Sequence, residues 1–142
     1  MNDAAPRHWL MKSEPEVYGI DRLASEGTTL WDGIRNYQAR NFMRSMKIGD
    51  MGFFYHSNEG REVVGIVEVC KLAHRDSTSD VDTWECVDIR AVADVPRHVT
   101  LDEIKADPKL KGMVLVTNSR LSVQPVSETE FKHICKLGGA KI

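Results

Sequence analysis

From Val87 to Val95 the odd positions are Val, Ile, Ala, Ala and Val, and three of the four even positions are Asp88, Arg90 and Asp94. Side chains along a strand point alternately to its two faces, so this period of two predicts a strand with one buried and one wet face. Strands of that kind belong to antiparallel sheets. A doubly wound parallel sheet would also need a Gly-rich turn from strand to helix, and the chain has none.

The remaining elements fall around this strand. His8–Lys12 reads as a first strand, which Pro15 stops. Ile20–Glu26 reads as a short helix ending at Gly27, and Asn36–Met46 as a second helix. Met51–Ser57 and Glu62–Leu72 read as a hairpin around Asn58-Glu59-Gly60. Thr100–Glu103 and Ser127–Glu130 have the spacing of capping boxes, each opening a helix. Met113–Val116 and Leu121–Val126 read as two further strands. About six strands with four short helices between them give an α+β fold. The expected form is a small mixed or antiparallel β-barrel with helices packed at its ends.

The chain of 142 residues suits a single domain over 1–142. Its longest apolar runs are too short to cross a membrane, and its first residues lack an apolar signal segment. Three cysteines with no CxxC pair disfavour a disulfide framework and a structural zinc site. His8, His74, His98 and His133 show no metal-ligand spacing, so no metal and no cofactor is expected. A cytoplasmic protein is expected, with no membrane partner.

Net charge is −2, yet the charge is unevenly spread. Trp31–Lys47 carries a net +3 and Asp76–Asp107 a net −6. One basic face toward an anion is compatible with that pattern, and so is an uneven solvated surface. Within the basic stretch, Trp31 offers a flat ring, Asp32 and Asn36 offer hydrogen-bond groups, and Arg35 and Arg40 offer positive charge. Stacking, edge hydrogen bonds and cations together hold unstacked bases. The alternative is that Trp31 is core and the arginines are solvated.

Four segments in this order, Trp9–Pro15 (WLMKSEP), Trp31–Asn41 (WDGIRNYQARN), Phe53–Asn58 (FFYHSN) and Arg120–Val126 (RLSVQPV), resemble the EVE domain of the PUA-like superfamily. The resemblance runs from Trp9 to about Ile134. It implies a PUA-like β-barrel that binds nucleic acid, DNA or RNA, as a reader of a modified base such as a modified cytosine. Lys12-Ser13 and Trp31 also look like the corresponding residues of YTH domains, which read N6-methyladenine. The stretch Asp76–Thr83 is shorter than the insertion the family often carries there, and Thr117–Ser119 departs from its more basic pattern.

By this resemblance the base pocket lies between Trp9–Glu14, Trp31–Asn36, Tyr55–Asn58 and Arg120–Gln124. Trp31 would stack on the base. Lys12, Ser13, Asp32 and Asn36 would bond its edge or fix the wall. Trp9, Glu14, Tyr55, His56, Ser57, Asn58, Ser122 and Gln124 complete the candidate pocket, and Arg35, Arg40 and Arg120 would contact phosphates. With three or four cations, binding is expected to be micromolar or weaker and to fall with salt. The competing reading is an enzyme or small-molecule binder for a nucleotide-like planar ligand, with His56, Glu14 or Asp32 as acid or base. Glu14 and Arg35 are also a candidate structural ion pair. A monomer or weak homodimer is expected.

Overall fold

The alternating segment is the middle of the longest strand. A computed structural model of the protein describes residues 7–141 apart from Glu59 and Ser119. In it, β5 (Glu85–Thr100) pairs antiparallel with β4 (Glu62–Arg75) on one side and with the three-residue β2 (Thr28–Leu30) on the other. β4 pairs antiparallel with β3 (Met51–His56), β3 pairs parallel with β1 (His8–Ser13), and β1 pairs antiparallel with β6 (Val123–Val126). The sheet order is β2-β5-β4-β3-β1-β6. The fold is α+β with six strands, as expected. The sheet is mixed and open, however, and does not close into a barrel: β2 and β6 are edges.

Each face of the sheet carries its own core. α1 (Ile20–Glu26) and α2 (Tyr37–Ser45) cover the face that holds Trp9, Met11, Phe54, Val87 and Ile89. α3 (Leu101–Ala106), the single turn α4 (Val114–Thr117) and α5 (Glu128–Gly138) cover the face that holds Leu10, Phe53, Tyr55, Val95 and Val99. Successive residues of β1 thus feed opposite cores. The alternation of β5 does not serve a single face. Ala91 pairs with Val67 and Ala93 with Ile66, so Val92 is an extra residue that forms a bulge. Before the bulge Val87 and Ile89 enter one core; after it Val95 and Val99 enter the other.

Local chemistry explains the helix ends. Gly27 ends α1 at φ 83°, where a side chain would be strained. Asn36 caps α2 by accepting the Ala39 N–H. Ser127 and Glu130 make both bonds of a capping box on α5. Thr100 makes its half of the second box, but the Glu103 carboxylate turns to Arg97 instead. Residues 113–116 are not a strand. Val116 and Thr117 donate their N–H groups to the Met113 carbonyl, closing a helical turn that buries Met113 and Leu115. Packing here overrides the preference of β-branched residues for strands.

Candidate nucleic-acid interface

β1 and β3 run side by side in parallel and end together, with Lys12 opposite Tyr55 and Ser13 opposite His56. Beyond these ends the turn after β1, the helix α1 and the edge strand β2 enclose an open cleft of about 400 Å³. Trp31, Ile34, Leu30 and Val17 are its apolar lining. Lys12, Ser13, Asp32, Thr29, Tyr18, Arg22 and Glu26 are its polar lining. Trp31 keeps only 6% of its surface exposed and sets its ring edge-on to Phe54 at 5.4 Å. It is therefore both a core residue and a wall of the cleft.

The rigid side of the cleft is pinned by short hydrogen bonds. Ser13 Oγ donates to the Tyr18 carbonyl at 2.7 Å, which leaves its oxygen lone pairs for the cleft. Tyr18 donates its hydroxyl to Glu26 at 2.6 Å, and Arg22 pairs with the same carboxylate across one helical turn. Burial and this bond raise the Tyr18 pKa, while the Tyr18 and Arg22 bonds lower that of Glu26. Burial lowers the pKa of Lys12, whose ammonium lies 5.9 Å from the centre of the Tyr55 ring.

His56 has a structural duty. α1 begins at Gly19 with no side-chain cap, and its first N–H, on Ile20, donates to His56 Nε2 at 3.1 Å. That nitrogen is an acceptor in the fold, so the imidazole is held neutral there. Burial, with a smaller effect from His98, lowers its pKa.

Of the candidate pocket residues, the fold brings Lys12, Ser13, Trp31 and Asp32 together in the cleft, and the others do not line it. Trp9 lies in the core with its indole N–H on the buried Asp50 at 3.0 Å, and does not line the cleft. Asn36 spends its side chain on the α2 cap. Tyr55, Ser57 and Asn58 line a smaller cavity on the opposite face. Ser122 accepts the Lys12 N–H through its backbone carbonyl, and Gln124 is fully buried, donating to the Leu121 carbonyl. Glu14 is exposed and does not pair with Arg35.

Two of the three arginines expected at phosphates are engaged inside the fold. Arg35 bonds the buried Asp76 at 3.0 Å and the Thr78 hydroxyl. Arg40 donates to the Thr83 carbonyl and lies over Tyr37 and Trp84. Arg120 is exposed. Sequence reading also misses two contributors. The α1–β2 wall carries Tyr18, Arg22, Glu26 and Leu30, and the spacing of Arg22 and Glu26 was its one visible sign. Asp76 has no sign at all: it reaches Gly33 across 43 positions of sequence. Among the described residues no group of three or more His, Cys, Asp or Glu is placed to hold a metal ion.

The EVE domain profile matches residues 7–137. The chain belongs to the EVE domain family. Its relatives include human thymocyte nuclear protein 1, 38% identical over 164 aligned positions that cover 92% of this chain and 73% of the relative. That alignment is longer than the present chain, so the relative carries inserted residues. Among solved EVE-like structures, a protein of Agrobacterium tumefaciens is 58% identical with a TM-score of 0.88, covering 93% of this chain and 92% of that one. The human THYN1 protein in complex with 5-methylcytosine-containing DNA is 37% identical with a TM-score of 0.85, covering 95% of this chain and 99% of that one.

Proposed function

We propose that this EVE domain is a reader of modified cytosine in DNA, which it holds as an unstacked base in the Trp31 cleft. The observation that carries the reading is the cleft itself. One flat aromatic wall stands beside apolar side chains able to take a methyl group, Val17, Leu30 and Ile34. Asp32 and the Ser13 oxygen are acceptors for a cytosine amino group, and Lys12 is a donor for its ring acceptors. Its volume of about 400 Å³ lies in the range of small-ligand sites. The complex of a 37%-identical relative with 5-methylcytosine-containing DNA supports the same choice of base and polymer.

Binding rather than turnover is the favoured outcome. His56, the best candidate base, is occupied by the Ile20 N–H. Asp32 is exposed, and the Ser13, Tyr18 and Thr29 hydroxyls of the cleft lining bond other groups, the Tyr18 carbonyl, Glu26 and the Leu30 carbonyl. Extruding a base costs a few kcal/mol, and stacking on an aromatic wall returns roughly 1–3 kcal/mol, so the domain should bind weakly unless the base is already unpaired. Calorimetric titration with 5-methyl-2′-deoxycytidine, 2′-deoxycytidine and thymidine tests the reading. The methylated nucleoside should bind at least several-fold tighter than the others; equal, negligible heats for all three would end it.

A further inference from the structure

The sequence holds ten arginines. Eight are engaged inside the fold, as in Arg22–Glu26, Arg35–Asp76 and Arg44–Glu85. Among the described residues, Arg61 and Arg120 are the two whose guanidinium makes no hydrogen bond or ion pair. Arg61 also stands at φ 44°, in the left-handed region where glycine is at ease and a long side chain is not. An unpaired guanidinium on a strained backbone is a combination that folding alone does not favour.

Arg61 lines a cavity of about 240 Å³ on the face of the sheet opposite the Trp31 cleft. Lys12, the Tyr55 ring, Ser57 and Asn58 line it too, over a floor of Leu101 and Leu115. The Trp31 cleft includes Glu26 and Asp32 in its lining, a cavity of about 770 Å³ beside His8 includes Glu128 and Glu130, and one of about 500 Å³ beside Gly60 includes Asp102; among the described residues, this one has no carboxylate. Asp102 lines the adjoining hollow with Asn58 and Arg61, and the charges of Asp102 and Glu62 both reach the Tyr55 phenol. Burial pushes the Tyr55 phenol up to about 12, so its hydroxyl remains a donor at neutral pH. Two cations, a phenol, a hydroxyl and an amide over an apolar floor are the groups that hold a phosphate.

Lys12 is the link. It lines both this cavity and the Trp31 cleft, because it sits at the end of β1 where the two faces of the sheet meet. We infer that the cavity seats a backbone phosphate of the strand whose base occupies the Trp31 cleft, with Arg61 as its principal cation. This rests on the base-reading proposal. It also moves the phosphate contact from Arg35 and Arg40, which hold the fold, to Arg61, which fixes Leu101 through its backbone carbonyl and whose guanidinium makes no hydrogen bond or ion pair among the described residues.

The test titrates wild type, Arg61→Gly and Arg61→Glu with three probes: the free nucleoside 5-methyl-2′-deoxycytidine, a single-stranded oligonucleotide containing 5-methylcytosine across a range of salt, and inorganic phosphate. Arg61→Gly should lose roughly tenfold in oligonucleotide affinity. The salt slope should drop by about 1, while nucleoside affinity and thermal midpoint are kept. Arg61→Glu should lose more. Unchanged oligonucleotide affinity and slope in Arg61→Gly would overturn the inference. So would a parallel loss of nucleoside binding, which would make Arg61 merely structural. Inorganic phosphate binding as tightly as the oligonucleotide would assign the cavity to a free anion and overturn the strand contact. A wild type that ignores the nucleoside but keeps the Arg61-dependent slope would sink the base reading and leave the phosphate seat standing.

Discussion

The carboxylate of Asp76 accepts the backbone N–H of Gly33 at 2.8 Å, although 43 positions separate the two residues. Gly33 stands at φ 79° between Asp32 and Ile34, both of which line the Trp31 cleft. The same carboxylate accepts bonds from Thr78 and pairs with Arg35. Asp76 is fully buried, so it fixes one wall of the cleft from within.

Asp76→Asn should therefore loosen the 31–36 loop as well as cost stability. Burial pushes the Asp76 carboxyl up, but the Thr78 hydroxyl, the Thr78 and Gly33 N–H groups and Arg35 outweigh it and hold the pKa at about 2. A folded value below the unfolded one, 3.8, means that the contribution is complete above about pH 4 and is lost as pH falls toward 2. The shift corresponds to about 2 kcal/mol. Urea unfolding from pH 5 to pH 2 should show this drop in wild type, and Asp76→Asn should flatten it.

Trp31→Ala should cost about 3–5 kcal/mol, because the indole is nearly buried against Phe54. Alanine at this position thus confuses folding with binding. Trp31→Phe keeps an aromatic ring against Phe54 and should fold, while weakening binding of methylated nucleoside several-fold. Chemical denaturation of both variants, beside nucleoside titration of Trp31→Phe, checks the pair.

His56→Ala should destabilise the fold by about 1 kcal/mol through loss of the acceptor for the Ile20 N–H. Burial depresses the folded pKa of His56 below 6.5. Its contribution is then present above about pH 6.5 and is lost as pH falls through the lower folded value. Thermal midpoints measured between pH 8 and pH 5 should fall more steeply in wild type than in His56→Ala.

Gly138→Ala should destabilise by about 1–3 kcal/mol. A Cβ there would lie 2.3 Å from Val95 Cγ1 and 3.1 Å from the Arg97 carbonyl oxygen, so α5 must move off β5. A lower urea midpoint with an unchanged denaturant slope checks it.

Local signals made much of this legible in advance. Asn36, Ser127 and Gly27 mark helix ends by their own short-range chemistry, and the structure has a helix boundary at each. Trp31 and Asp32 are marked by the chemistry of the basic stretch and Lys12 and Ser13 by family resemblance, and the four come together in one cleft. What was hidden depends on distance or on context. The Val92 bulge sends one alternating pattern into two cores, and periodicity cannot show that. β2 has three residues, too few for any period. Trp9 looks like a pocket residue until its N–H is seen on Asp50. Arg35 and Arg40 look like phosphate ligands until Asp76 and Thr83 are brought to them by β5 and the loop before it.

The three tryptophans offer the most direct test of the central claim. Trp9 is sealed in the core, Trp31 walls the cleft, and Trp84 lies beside Tyr37 and the arginines. Assigned indole N–H signals followed by NMR during titration with a single-stranded oligonucleotide containing one 5-methylcytosine report each place separately. The Trp31 signal should move strongly, the Trp9 signal should stay, and the unmethylated oligonucleotide should move Trp31 less at equal concentration. An oligonucleotide that binds while the Trp31 signal stays still would contradict the account.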